Sequence, residues 1–213
     1  MALPKVNQVE YTAELPLSKI EVGYRPFSVK EQKIFLTAME DGTAAVISKA
    51  LINVTQGCVV TEKVDVRKIP GPDLEWLFLQ IRCKSVGEST EVKFKCEQCG
   101  HMNDTEVDLT EATVGRGEQD WEGTTKVQIN DTLGVKLSAP SFGIVESKLM
   151  EVQNLSAQDL YDIVCLCISQ VYDEENVWDR TDFSQKELHE FVDSMSSEQF
   201  NRMIEFFDDL PRL

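Results

Sequence analysis

A Cys-x-x-Cys turn, Cys96-Glu97-Gln98-Cys99-Gly100-His101, lies between two stretches in which polar and apolar residues alternate. These flanking stretches are Glu91-Val92-Lys93-Phe94-Lys95 and Thr105-Glu106-Val107-Asp108-Leu109. Because such alternation is typical of β-strands, the sequence predicts a β-hairpin with both cysteines at its tip. A turn of this kind is half of a zinc ribbon, and the chain contains no second Cys-x-x-Cys that could supply the other half.

The metal-binding interpretation needs two further ligands. A structural Zn²⁺ is bound by four ligands in a tetrahedron, so Cys96 and Cys99 would be joined by two of His101, Cys83 and Cys58. Two alternatives stay open. The turn can keep its geometry without any metal, or it can act as a redox dithiol, which is disfavoured because thioredoxin-like motifs begin a helix rather than follow a strand.

The remaining chemistry-bearing residues do not form a recognisable active site. Cys165 and Cys167 are two residues apart on a predicted helix, roughly 200° apart around its axis, so they cannot bind one metal together and are predicted core thiols. The chain has neither a glycine-rich phosphate loop, nor a His-Glu-x-x-His motif, nor a nucleophile elbow. We therefore expect a protein that is not an enzyme.

Composition narrows the class of protein. The chain has 213 residues, of which 42% are hydrophobic, enough for one domain or two small ones. No apolar run is long enough to span a bilayer and the first residues lack the apolar core of a signal peptide, so we expect a cytosolic protein with reduced cysteines. A net charge of −16 disfavours nucleic acid as a partner.

Acidic residues are concentrated near the C-terminus. From Glu151 to Leu213 the chain has fifteen Asp and Glu residues but four Lys and Arg residues. This segment is either well solvated or binds a basic partner. Phe206, Phe207 and Leu210 are poorly covered by the residues that follow them, so we predict that they contact a partner protein. A homo-oligomer also stays open.

The order of hydrophobic periodicities predicts the fold class. An N-terminal hairpin is followed by three helices, the first with the capping box Ser28 and Glu31 and a stop at Gly42. The cysteine hairpin and a second hairpin around 126–137 then predict one small antiparallel sheet. Beyond Pro140 the spacing predicts helices only, with capping boxes at Ser184 and Ser196.

We therefore predict an α+β protein in two regions. Residues 1–140 form a mixed helical region with inserted β-hairpins and the Cys-x-x-Cys knuckle. Residues 141–213 form an acidic, all-helical region.

An ordered set of short motifs resembles a known viral family. The motifs are Tyr24-Arg25-Pro26-Phe27-Ser28-Val29-Lys30-Glu31, Leu74 to Arg82, Lys84-Ser85-Val86-Gly87-Glu88, the turn Cys96 to Gly100, Val107-Asp108-Leu109, Lys186-Glu187-Leu188 and Phe206-Phe207 to Pro211. Together they resemble the baseplate hub assembly proteins of T4-like tailed bacteriophages. Within them, we expect Arg25, Arg82 and Lys84 to anchor local structure through carboxylates and Gly87 to meet a backbone requirement at a helix end.

The resemblance implies a late viral protein, made in the cytoplasm of the infected bacterium, that helps to build the baseplate hub of a contractile tail. It implies hub proteins as partners and brings no catalytic residues. The alternative within this reading is a permanent structural subunit of the hub in the virion baseplate. Two rivals lie outside it: a zinc-ribbon adaptor, for which the composition supplies no basic face, and a cell-wall hydrolase, for which the sequence offers no site.

Overall fold

A computed structural model of the protein describes residues 8–115, 123–144, 156–208 and 210–211. Within them the chain divides into two compact units. The first unit contains residues 8–66 and 73–114, and the second contains residues 67–72 together with the described residues from 115 onward.

The first unit begins with the predicted hairpin and helices, which the structure confirms. Strands β1 (Tyr11–Glu14) and β2 (Glu21–Tyr24) pair antiparallel, with Tyr11 opposite Tyr24. Three helices follow: α1 (Val29–Asp41), α2 (Ala44–Cys58) and α3 (Gly71–Val86). The capping box at the start of α1 is present, and Gly42 ends the helix with a φ of 72°, a left-handed conformation that favours glycine.

The core of the first unit lies between the β1–β2 hairpin and helices α2 and α3. Its largest fully buried side chains are Leu15, Val22, Ile52, Val54, Val66, Leu74, Leu77 and Ile81. Leu74, Leu77 and Ile81 recur at helical spacing, which is why the periodicity of the sequence located α3.

The cysteine hairpin forms a separate two-stranded sheet in the first unit. Strands β3 (Ser89–Lys95) and β4 (Met102–Asp108) pair antiparallel along their whole length, and a single 3₁₀ turn (Leu109–Glu111) follows. The predicted hairpin with Cys96 and Cys99 at its tip is confirmed.

The second unit is built on a four-stranded antiparallel sheet. Its strands are β5 (Thr124–Gln128), β6 (Gly134–Ser138), β7 (Ile168–Tyr172) and β8 (Val177–Asp179), hydrogen-bonded in that order. A 3₁₀ turn (Arg180–Asp182) follows β8. The described helices of this unit are α4 (Ala157–Cys167), α5 (Gln185–Asp193) and α6 (Ser197–Asp208). The predicted capping boxes at Ser184 and Ser196 are both formed.

The prediction of an all-helical region over 141–213 is wrong. Strands β7 and β8 follow helix α4 and continue the sheet begun by β5 and β6. The apolar stripe of α4 runs through Cys167, and Val171 four residues later fits the same helical spacing, although the helix ends at Cys167. Short apolar runs do not distinguish a helix from a buried strand by periodicity, and pairing with β6 decides the outcome here.

The prediction of one sheet shared by the two central hairpins is also wrong. The β3–β4 hairpin stays a two-stranded sheet, whereas β5 and β6 join β7 and β8. The physical reason is burial: Ile129, Val135 and Leu137 lie in a core with residues of α4, α5 and α6. The β3–β4 hairpin is exposed along most of both strands, and none of its residues is buried in a core.

In the part of the chain that the structure describes, no helix has both the length and the apolar character needed to cross a membrane.

Candidate functional site

The Cys-x-x-Cys turn has the backbone geometry of a metal-binding knuckle. The amide of Cys96 donates to the carbonyl of His101 at 2.8 Å, and the amide of Gly100 donates to the carbonyl of Cys96 at 2.8 Å. Gly100 has a φ of 72°, which an L-residue with a side chain rarely adopts. The turn therefore closes tightly over the two cysteines.

The backbone amides of this turn also act on the Cys96 sulfur. Hydrogen bonds from the amides of Cys99 and Gln98, and then from the Cys99 thiol, hold the pKa of Cys96 below its usual value. Neither cysteine is in a disulfide, and Cys99 is exposed. The lowered pKa favours the thiolate, which is the form in which cysteine binds a metal.

The other predicted ligands, His101, Cys83 and Cys58, do not form a metal-binding group with Cys96 and Cys99. Cys83 lies on α3 with 6% of its surface exposed, and Cys58 is fully buried at the end of α2. Burial raises the pKa of Cys83 and raises that of Cys58 to about 11, so neither is predisposed to ionise. Among the described residues, no three or more His, Cys, Asp or Glu side chains are grouped so that they could hold a metal ion. Zinc binding stays a prediction.

Cys165 and Cys167 behave as ordinary core residues. Both are 1% exposed, and burial raises the pKa of Cys165 to about 11 and that of Cys167 to about 12. Their predicted role as core thiols is consistent with these positions in the second unit.

An apolar cleft of about 440 Å³ opens on the second unit. Six apolar residues line it together with two carboxylates: Leu133, Val171, Trp178, Phe183, Leu188, Phe191, Asp182 and Glu187. Trp178 is 39% exposed, although tryptophan is normally well buried. Sequence reasoning missed this cleft, because its walls come from three segments that only the sheet brings together.

Strand β8 forms one side of the cleft and is also an edge of the sheet. Within the described strands it pairs only with β7, so its other edge is free of strand partners. Edge strands that expose apolar residues are sites where another chain can add. Hydrogen bonds from the backbone and hydroxyl of Ser184 lower the pKa of Glu187, which keeps this side of the cleft negative at neutral pH.

A second cleft, of about 470 Å³, lies between α1 and α2 in the first unit. Lys30, Lys33 and Lys49 surround apolar walls that include Ile34 and Val46. No described carboxylate forms an ion pair with any of the three lysines. In a chain of net charge −16, this cleft is a local basic surface.

Comparison with protein families identifies the chain. The model of a family described as T4 bacteriophage base plate protein matches residues 7–213, which is nearly the whole sequence. The chain belongs to this family. No significant match was found to a curated protein or to a solved structure. The resemblance deduced from the short motifs is thus confirmed at the level of a T4-like baseplate protein, with other baseplate proteins as its partners.

The family motifs of this baseplate protein include structural anchors. Arg25 forms an ion pair with Glu31 at 3.0 Å, and Lys84 forms one with Glu88 at 2.6 Å, as predicted. Arg82 differs from the prediction, because its described partners are the backbone carbonyls of Gly87 and Ser89 rather than a carboxylate. Gly87 has a φ of 128° just beyond the end of α3, so the predicted backbone requirement is real.

The C-terminal aromatic residues of the baseplate protein lie on the core of its second unit. Phe206 is 3% exposed and belongs to the core itself. Phe207 and Leu210 are half-buried and pack against that core, and the rings of Phe206 and Phe207 meet edge to face at 5.4 Å. Partner binding stays a prediction for the exposed parts of Phe207 and Leu210.

Replacing Phe207 with aspartate is expected to lower the free energy of unfolding by about 2 kcal/mol, since a carboxylate would replace a half-buried ring on the core. Thermal unfolding followed by circular dichroism measures the effect. Phe207→Leu is the control, because it keeps an apolar contact with the core and should have a melting temperature close to that of the wild type. An unchanged melting temperature with lost partner binding would instead make Phe207 an interface residue.

Proposed function

We propose that this baseplate protein is an assembly factor of the central hub. In this proposal it acts in the cytoplasm of the infected bacterium through protein contacts and without catalysis. Its membership of the baseplate family and the resemblance of its motifs to hub assembly proteins support this role.

The observation that carries the proposal is the apolar cleft beside strand β8. Trp178 and Phe191 line a cavity large enough for a few side chains of another protein. The free edge of β8 can pair with an extended segment of that protein, so backbone hydrogen bonds would add to side-chain burial. Aromatic residues that line such a cleft are the residue type that most often dominates binding energy.

The charges around the cleft indicate the chemistry of the partner. Asp182 and Glu187 lie in the wall, and the residues from Glu151 onward carry fifteen acidic side chains against four basic ones. A hub segment with an apolar anchor flanked by lysine or arginine fits this environment. Long-range attraction of opposite charges would speed its capture, and added salt would slow it.

The size of the cleft suits a temporary contact. A cavity of about 440 Å³ buries a short segment rather than a whole protein surface. Affinity from so small a contact leaves the partner able to dissociate when its permanent neighbours in the hub arrive. This is the behaviour required of an assembly factor.

Affinity purification of the tagged protein from infected cells during tail assembly tests the proposal. Mass spectrometry identifies its partners, and mature particles are analysed in parallel. Recovery with hub proteins and absence from particles would support an assembly factor. Stoichiometric presence in particles would establish the alternative, a permanent structural subunit of the hub. Absence of every tail protein among the partners would refute both.

Replacing Trp178 with alanine is expected to weaken recovery of the hub partner by about tenfold or more, since buried aromatic anchors typically contribute at this level. Val177→Ala is the matched control. Val177 is 62% exposed, precedes Trp178 on the same strand and does not line the cleft. Both variants should keep the far-ultraviolet spectrum of the wild type. Equal partner recovery for both variants would place the binding surface elsewhere.

A further inference from the structure

The β3–β4 hairpin presents its turn to solvent. It forms a sheet of its own, and nearly every residue of both strands is exposed. Cys99 is exposed and Cys96 is half-buried at the tip. A second molecule can therefore reach both sulfur atoms without any change in the core of the first unit.

The two sulfur atoms are held next to each other. The Cys99 thiol and the amides of Gln98 and Cys99 all donate hydrogen bonds to the Cys96 sulfur. The backbone bonds between Cys96 and His101 and between Gly100 and Cys96 fix the turn that makes this possible. A pair of adjacent sulfurs with amides directed at one of them is the arrangement by which a knuckle binds one side of a tetrahedral zinc ion.

Two sulfur ligands leave two positions of a tetrahedral zinc ion unfilled. Cys58 and Cys83 are buried in helices, and within the described residues no group of three or more potential ligands exists. Ligands from another molecule can fill the two remaining positions beside the exposed pair. A second copy of the chain brings an identical pair of sulfurs, and a two-fold axis through the metal would complete the tetrahedron with four equivalent thiolates.

The register of the hairpin gives it two different faces. Residues directly opposite each other in an antiparallel pair share a face. One face contains Thr90, Val92, Phe94, Asn103, Thr105 and Val107 and has no charged residue. Phe94 is 53% exposed on this face, with Val92 and Val107 beside it at 37% and 38%. Such a face can pack against its own copy without desolvating any charge.

The charge around the tip also permits contact between two copies. From 93 to 104 the chain carries Lys93 and Lys95 against Glu97 and Asp104, so this segment has no net charge although the whole chain has −16. The stem of Lys95 lies beside Gly100, with its Cε 3.5 Å from the position that a Cβ of Gly100 would occupy. Lys95 thus lies beside the turn, where its positive charge can offset part of the negative charge that four thiolates leave on a zinc ion.

We propose that Cys96 and Cys99 form half of a zinc site that the same turn of a second copy completes, so that one zinc ion joins two chains tip to tip. The neutral face around Phe94 packs against its counterpart in the pair. This proposal does not depend on the function in hub assembly.

Zinc content and molecular mass, measured on the same sample of the full chain, test the proposal. Protein purified under reducing conditions with zinc is expected to contain about one zinc ion for every two chains and to run as a dimer in light scattering. A chelator should convert the dimer to a monomer, and added zinc should restore it. Cobalt in place of zinc should give the absorption of tetrahedral thiolate coordination.

Variants separate this site from its rivals. Cys99→Ser should abolish both zinc binding and dimerisation with an unchanged circular dichroism spectrum, because Cys99 is exposed in a turn. Phe94→Asp should weaken the zinc-dependent dimer by about tenfold, because a charge would enter the packed face. Cys83→Ala should keep both zinc binding and dimerisation.

Several results would overturn the proposal. These are a monomer that contains zinc, a protein that binds no zinc under reducing conditions, a dimer that resists the chelator, or loss of zinc in a folded Cys83→Ala variant.

Discussion

Replacing Glu31 with alanine is expected to lower the free energy of unfolding by about 3 to 5 kcal/mol, the cost of breaking a buried ion pair by removing one partner. Glu31 is 4% exposed and accepts hydrogen bonds from Arg25 at 3.0 Å and from the amide of Ser28 at 2.8 Å. The hydroxyl of Ser28 also donates to it. The variant therefore loses two interactions at once: the ion pair with the Arg25 guanidinium and the side-chain cap of helix α1.

The same carboxylate predicts how stability depends on pH. Burial alone would raise the pKa of Glu31, but hydrogen bonds from Arg25 and Ser28 and the charge of Arg25 outweigh burial and lower it to about 2. Since the pKa in the folded state lies below the ordinary value of 4.5, the ionised group stabilises the fold at neutral pH. That contribution is expected to be lost as the pH falls from about 4.5 to about 2.

Urea unfolding of the wild type and of Glu31→Ala at a series of pH values measures both effects. The difference in free energy between the two proteins should shrink as the pH falls through this window. Glu88→Ala is the matched control, because its ion pair with Lys84 is exposed to solvent and should contribute much less to stability. A loss of similar size in both variants would mean that burial of the Arg25–Glu31 pair is unimportant for stability.

Replacing Asp73 with alanine is expected to lower the free energy of unfolding by about 3 kcal/mol, because buried hydrogen-bond donors would be left without a partner. Asp73 is fully buried in the first turn of α3 and accepts bonds from the amides of Leu17 at 2.8 Å and Ser18 at 2.9 Å. The hydroxyl of Ser18 donates to it as well. One carboxylate therefore fastens the β1–β2 turn to a helix that begins more than fifty residues later.

Chemical denaturation of Asp73→Ala, followed by tryptophan fluorescence and circular dichroism, measures this loss. The free energy of unfolding of Asp73→Asn should lie between those of Asp73→Ala and the wild type, since its amide oxygen can still accept some of these hydrogen bonds. Asp41→Ala is the control: Asp41 also accepts side-chain and backbone bonds, from Thr43, but in an exposed position where water can replace them. If Asp73→Ala and Asp41→Ala lower the free energy of unfolding by similar amounts, Asp73 does not anchor the β1–β2 turn.

Local signals in the sequence located most of the helices. Ser28 with Glu31, Ser184 with Glu187 and Ser196 with Gln199 are capping boxes whose two members are three residues apart, so each can be recognised without knowledge of the rest of the fold. The same holds for Gly42, which ends α1 in a left-handed conformation.

Strands β7 and β8 show where this reasoning fails. The residues of β7 could continue the apolar stripe of α4, and the pairing that makes β7 a strand is with β6, more than thirty residues earlier in the sequence. Strand β8 then pairs with β7. The energy of such pairing depends on a partner that a local window does not include. A window centred on Ile168 or Val171 therefore cannot decide between helix and strand.

Of the candidate sites, one could be located from a contiguous stretch of sequence, and the others depended on the tertiary structure. The hairpin and its Cys96–Cys99 turn followed from the sequence alone, because a tight turn, its glycine and its flanking alternation are contiguous. Whether buried Cys58 and Cys83 could reach that turn was decided only by the packing of α2 and α3. The cleft around Trp178 likewise exists only because β7, β8 and α5 meet in the folded second unit, since a cavity is a property of surfaces brought together by the tertiary structure.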